Sequence, residues 1–98
     1  MPRIVKNEVD YLEWRAGSGD TVEIYDIAVF SNRHQGVGRS LIEELKDQVR
    51  GKTHLIFAIT RRSNHGAQKF YGKVGFRKVA ELERFYVGED ALIFGLDL

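Results

Sequence analysis

The run Arg33-His34-Gln35-Gly36-Val37-Gly38-Arg39 is the part of this sequence best suited to hold a ligand. It lies where an apolar, β-branched stretch ends and an amphipathic pattern begins, so its two glycines fall at a strand-to-helix turn. Glycine lets the backbone turn tightly and approach a ligand closely. The first amides of a helix have no intrahelical partner and carry the positive end of the dipole, which suits a phosphate or diphosphate. No Gly-Lys-Ser/Thr closes the turn, and Leu41 stands where a dinucleotide fingerprint needs a third glycine. On spacing alone, the turn either cradles a phosphate of some other kind or simply relieves a tight backbone.

Other side chains admit two readings each. Tyr71 falls on the apolar face of a helical pattern, where a tyrosine packs its ring and satisfies its hydroxyl. Asn64 precedes that helix and suits its N-cap. Glu23 sits in a strand-like run, where a carboxylate ordinarily faces solvent. His34, His54 and His65 have no i, i+4 partner or neighbouring carboxylate cluster, so no metal site is expected. Arg61-Arg62 and Arg77-Lys78 read as solvated cations, or as contacts for a peripheral phosphate.

The elements that must position these residues follow from periodicity. Val9 to Arg15 and Thr21 to Phe30 are strand-like and separated by Gly17-Ser18-Gly19-Asp20, a hairpin loop. Arg3 to Val5 is a weaker strand. Ile27-Ala28-Val29-Phe30 is apolar on both faces, as in a central buried strand. Val37, Leu41, Ile42, Leu45 and Val49 recur at helical spacing with charges between them, and Gly51 ends the pattern. Leu55 to Ile59 is a second buried strand. Ala67, Phe70, Tyr71 and Val74 mark a second helix ended by Gly75, Phe76 to Leu82 is extended, and Leu92, Phe94, Leu96 and Leu98 alternate onto one strand face. A helix between two buried strands predicts a parallel pair. The expected fold is an α/β (α+β) domain: a mixed, mostly antiparallel sheet with a central parallel pair and two packed helices.

Ninety-eight residues make one domain, 1–98. With 43% hydrophobic and 30% charged residues the chain is an ordinary globular one, and no cysteine is present, which excludes disulfides and thiolate chemistry. A net charge of +1 and the lack of a basic stripe interleaved with aromatics argue against nucleic acid as a partner. The longest apolar run, Leu55 to Ile59, is far below the ~20 residues that span a bilayer. With no signal-peptide core at its start, the chain is expected in the cytoplasm, without a membrane partner.

In order, Ile27-Ala28-Val29, Arg33-x-x-Gly36-x-Gly38, Asn64, Ala67, Phe70-Tyr71 and Gly75-Phe76 resemble the acyl-CoA-binding segments of the GCN5-related N-acetyltransferase (GNAT) superfamily. Glu81 to Phe94, with Tyr86 and Gly88-Glu89-Asp90-Ala91, is similar to the C-terminal strands of its ribosomal-protein alanine N-acetyltransferase branch. The likeness runs from about Thr21 to Leu98. It implies acetyl-CoA as acyl donor and direct attack by a primary amine, whose identity stays open. It also implies that amides of His34, Gln35, Gly36, Val37, Gly38, Arg39 and Ser40 bind the diphosphate, with Arg33 opening the motif. Ile27, Ala28 and Val29 would pair with the pantetheine arm, and an amide there would polarise the acetyl carbonyl. Asn64 would hydrogen-bond the same arm, and Tyr71 would be the general acid that protonates the departing thiolate. Glu23 matches the catalytic glutamate of the histone-acetylating members. The ribosomal-protein branch places its base where this chain has Ile59, and Asp26 and Glu81 stand in reserve.

Two departures accompany the likeness. The Val29 to Arg33 loop is one residue short, and too little chain precedes Val9 for the superfamily's first strand and helix pair. The expectation is therefore a minimal, N-terminally shortened member, with a homodimer covering the apolar surface left open. A non-catalytic acyl-CoA-binding or sensor module is the alternative function. A nucleotide-phosphate binder with a similar loop fits the Asn64 to Phe76 segment less well.

Overall fold

The computed structural model describes residues 1–31 and 36–98. Its elements are β1 (Arg3–Lys6), β2 (Asp10–Ala16), β3 (Thr21–Ala28), α1 (Val37–Val49), β4 (Leu55–Arg61), α2 (His65–Lys73), β5 (Arg77–Tyr86) and β6 (Glu89–Asp97). The six strands form one sheet in the order β1-β2-β3-β4-β6-β5. The β3–β4 pairing is parallel and the other pairings are antiparallel, as the strand–helix–strand pattern predicts. The crossover helix α1 connects the parallel pair.

One face of α1 carries Val37, Leu41, Ile42, Leu45 and Val49, all buried. They join Ile4, Leu12, Val22, Ile24 and Ile56 from the sheet in a single core. Leu12, Leu41, Leu45 and Ile56 are wholly inaccessible, and each such side chain stabilises the fold by about 1.5–3 kcal/mol relative to an exposed one. Tyr71 of α2 and Phe94 of β6 extend this core toward the other end of the sheet. Both helices end next to glycines at positive φ, Gly51 at 83° and Gly75 at 100°, as the helix-stop pattern requires.

Two irregularities shape the middle of the sheet. Glu13 pairs with Asp26 while Trp14 pairs with Ile24, which leaves Tyr25 as an extra residue in β3. This bulge resets the alternation, so Ile27 shares the core face with Val22 and Ile24 while Glu23 and Asp26 share the opposite face. The second irregularity is that the parallel ladder covers only Thr21–Leu55, Val22–Ile56 and Glu23–Phe57. β3 continues to Ala28 and β4 to Arg61 without further pairing to each other, and a gap opens between them.

Element boundaries differ from the sequence-based ones where side chains intervene. β3 stops at Ala28 rather than Phe30 because the Phe30 and Ser31 amides donate to the Asp10 carboxylate instead of to a neighbouring strand. β5 runs past Leu82 to Tyr86 because a turn with Gly88 at φ 80° returns the chain directly into β6.

Candidate functional site

The turn into α1 uses its two glycines differently. Gly36 is the helix N-cap at φ 70°, ψ 24°, a left-handed conformation that glycine adopts without strain. A Cβ there would meet nothing within 4 Å. At Gly38 a Cβ would lie 2.6 Å from Cε1 of Phe70, so this glycine lets α1 and α2 come together. No side chain caps α1 and its first turn holds no acid. The Ser40 amide donates to the Gly36 carbonyl at 3.0 Å, and the amides before it have no partner among the described residues. Arg33, His34 and Gln35, the rest of the expected diphosphate loop, lie outside the described residues.

A groove runs from this turn to the gap in the sheet. Its first part, a cleft of about 410 Å³, is lined by Val29, Gly36, Gly38, Arg39, Gly66, Lys69, Phe70, Lys73 and Val74. Three cations line it, and among the described residues no carboxylate does, so its field favours an anion. Arg39 also donates to the Lys73 carbonyl at 2.8 Å. The next part, about 310 Å³, shares Val29 and Phe70 with the first and adds Ile27, Asn64, Ala67 and Tyr71. Those last four also line the part that enters the sheet, about 280 Å³, together with Ile24, Tyr25, Asp26, Ile59, Thr60, Arg61 and Tyr86. From end to end the groove passes from cationic to apolar to polar.

Tyr71 is 5% exposed. Its ring packs against Phe70, Phe76 and Phe94 at centroid distances of 5.3, 5.1 and 6.1 Å. Burial, reinforced by the Asp26 carboxylate, pushes its phenol well above the ordinary tyrosine range, so it keeps its proton at neutral pH. Asn64 caps α2, its Oδ1 accepting from the Ala67 amide at 3.0 Å, and the same side chain lines the groove. The cap and a ligand contact are thus compatible.

The two β3 carboxylates are placed differently. Glu23 accepts from Arg15 Nε at 2.8 Å, its side chain only 15% exposed, and it does not line the groove. Asp26 does line it, and accepts a hydrogen bond from the Tyr11 hydroxyl at 2.6 Å. That bond raises the Tyr11 pKa. Glu81 is engaged by Lys78 and Arg62, which lower its pKa. The Arg61-Arg62 and Arg77-Lys78 pairs are likewise engaged at the surface: Arg61 with Glu89, Arg62 with Glu81 and Asp90, Arg77 with Asp97, Lys78 with Glu81. Glu89 further accepts from the Ser63 amide and hydroxyl, which hold its pKa down and fix the turn before Asn64.

Lys69 and Lys73 escaped the sequence reading because cations one turn apart on a short helix are ordinarily solvent-facing. Only the approach of α1 turns that face into a groove wall. Among the described residues no group of three His, Cys, Asp or Glu side chains could hold a metal, and no helix is long and apolar enough to cross a membrane.

Comparison with known proteins bears on this frame. A profile described as the acetyltransferase (GNAT) family matches residues 6–76. No curated protein matches the sequence. A GNAT-family protein from Desulfovibrio desulfuricans is 30% identical over 96% of this chain and 64% of its own, with a TM-score of 0.81. The ribosomal-protein-S18-alanine N-acetyltransferase of Escherichia coli is 27% identical over 95% of this chain and 64% of its own, with a TM-score of 0.74. A Bacillus anthracis protein described as a streptothricin acetyltransferase, solved with acetyl coenzyme A, is 28% identical over 91% of this chain and 55% of its own, with a TM-score of 0.84. The chain thus spans less than two thirds of the length of these relatives. Because the profile match covers most of the sequence and runs through both helices that build the groove, the chain belongs to the acetyltransferase (GNAT) family.

Proposed function

We propose that the chain binds acetyl-CoA in this groove and transfers the acetyl group to a primary amine. The observation that carries the proposal is the groove's gradation, which parallels the ligand's. Anionic phosphates would meet Arg39, Lys69, Lys73 and the first amides of α1. The pantetheine arm would lie along Ile27, Ala28 and Val29 with Asn64 beside it, and the thioester would reach Tyr71. Arg33, His34 and Gln35 would complete the diphosphate contacts, with the Ser40 hydroxyl available in place of its amide. The relative solved with acetyl coenzyme A supports this donor.

In the reaction the amine nitrogen attacks the thioester carbonyl, a C–N bond forms and the C–S bond breaks. A backbone amide of Ile27–Val29 stabilises the developing oxyanion. Tyr71, kept protonated by burial, gives its proton to the departing thiolate. The proton lost by the amine goes to Asp26, directly or through water, since Asp26 lines the groove whereas Glu23 is occupied by Arg15. Glu23 then serves to hold the β2–β3 pairing beside the bulge. We extend the proposal to a homodimer. Val5, Val9 and Phe30 are exposed apolar side chains around a hollow of about 380 Å³ that a second copy would cover, and a monomeric mass by light scattering would remove it.

The test is release of CoA thiol from acetyl-CoA across a panel of peptide N-termini, lysine peptides, polyamines and small aromatic amines. Release with at least one amine, lost in Asp26→Asn, is expected. Acetyl-CoA binding without release from any amine would instead make the chain an acyl-CoA-binding module.

A further inference from the structure

Asp10 is a fully inaccessible carboxylate that the chemistry above does not use. Its Oδ1 accepts from the Phe30 amide at 2.6 Å and the Ser31 amide at 2.9 Å. Its Oδ2 accepts from the Ser31 hydroxyl and from Asn7 Nδ2 at 3.1 Å. Four donors converge on one side chain, enough to satisfy a buried charge without a cationic partner. Three of the four come from the segment that leaves β3, and none from β2 itself.

The position of this cluster gives it a consequence. β2 and β3 are paired up to Tyr11–Ala28, and Asp10 is the next residue outward on β2. There the carboxylate replaces the ladder and turns Phe30 and Ser31 aside. Val29, held between the last ladder pair and the first Asp10 bond, lines both the cationic part of the groove and its apolar middle. We propose that Asp10 is a positioning residue for coenzyme A binding: by holding Phe30 and Ser31 it fixes the Val29 backbone against which the pantetheine arm lies. The proposal rests on the acetyl-CoA reading. Asparagine at position 10 would retain the shape but replace one acceptor oxygen with an NH₂ that faces the Asn7 amide, donor against donor.

The experiment compares wild type, Asp10→Asn, Ser31→Ala and the double variant Asp10→Asn/Asn7→Asp. Each is read for acetyl-CoA affinity by calorimetry, for kcat and KM, and for amide exchange at Phe30 and Ser31 by NMR. In Asp10→Asn the acetyl-CoA Kd and KM should rise about tenfold, the loss expected when hydrogen bonds to a buried charge are removed. Exchange at the two amides should accelerate, while kcat at saturating acetyl-CoA and KM for the amine stay unchanged. Ser31→Ala should give a smaller loss in the same direction. Asn7→Asp should restore affinity to the double variant by facing the new NH₂ with an acceptor. Unchanged affinity despite accelerated exchange would overturn the proposal, as would kcat falling together with affinity in all variants. Failure of the wild-type chain to bind acetyl-CoA would overturn the functional reading as well, a result distinct from binding that is indifferent to position 10.

Discussion

Replacing Tyr71 with Phe removes one oxygen and keeps every ring contact. The ring is 5% exposed and lies 5.1–6.1 Å from the centroids of Phe70, Phe76 and Phe94. Those contacts are apolar and survive the change, so Tm should move by less than about 4 °C, corresponding to under about 1 kcal/mol in a domain this size. Tyr71→Ala, by contrast, empties the site and should cost about 3–5 kcal/mol. If the phenol is the general acid, Tyr71→Phe should lower kcat roughly 10²- to 10⁴-fold. The Kd for acetyl-CoA should stay within about tenfold, because at most one neutral hydrogen bond is lost. The pH profile is a second readout. Burial and the Asp26 carboxylate raise the phenol's pKa, so it remains protonated throughout the range in which an amine acceptor becomes neutral. Wild-type kcat should then show no alkaline loss below about pH 10 that disappears in Tyr71→Phe. Thiol release by stopped assay, calorimetry and thermal melts on the three proteins suffice. A Tyr71→Phe variant within threefold of wild-type kcat would refute the acid role and leave Tyr71 as packing.

Other outcomes follow from the same geometry. Lys69→Ala and Lys73→Ala should each weaken acetyl-CoA binding several-fold at low ionic strength. The deficit should shrink at about 1 M salt, where the screening length is near 3 Å, as a calorimetric salt series would reveal. Gly36→Ala should cost about 1–2 kcal/mol, measured by denaturant unfolding, because its left-handed φ of 70° disfavours any Cβ although space is open. Gly38→Ala should instead displace the Phe70 ring, whose Cε1 lies 2.6 Å from the added Cβ, and weaken acetyl-CoA binding. The Asp10 carboxyl, held at about 2 chiefly by the Ser31 hydroxyl with help from the Ser31 and Phe30 amides and Asn7, titrates lower in the folded than in the unfolded chain. Its contribution to stability is therefore complete above about pH 4 and lost as pH falls toward 2. Asp10→Asn should flatten that part of the wild-type acid-unfolding curve.

The order of elements was legible because each carries its own period. The apolar spacing of α1, the two short apolar runs of β3 and β4 and the alternation of β6 determine a parallel pair flanked by antiparallel strands. Glycine at 51 and 75 marked both helix ends for the steric reason that each takes a positive φ. What stayed hidden depends on contacts between distant residues. The bulge at Tyr25 places Asp26 and Glu23 on the same face but only Asp26 on the groove, and no local pattern distinguishes the two carboxylates. Gly38 read as space for a ligand, whereas the nearest atom to its missing Cβ belongs to Phe70, thirty-two positions on. Asp10 falls inside the strand-like run Val9 to Arg15, and its four donors come from a turn and a loop that the sequence does not bring together. Lys69 and Lys73 became groove residues only once α1 was laid beside α2.

The most direct measurement is an isothermal titration of the purified chain with acetyl-CoA, repeated with pantetheine lacking the nucleotide and diphosphate. Saturable one-to-one heat with acetyl-CoA, far weaker with the truncated compound and weaker again in a Lys69→Ala/Lys73→Ala background, is the predicted result. Equal affinity for both compounds, or no heat from either at millimolar concentration, would contradict a groove whose cationic end and first α1 amides hold the diphosphate.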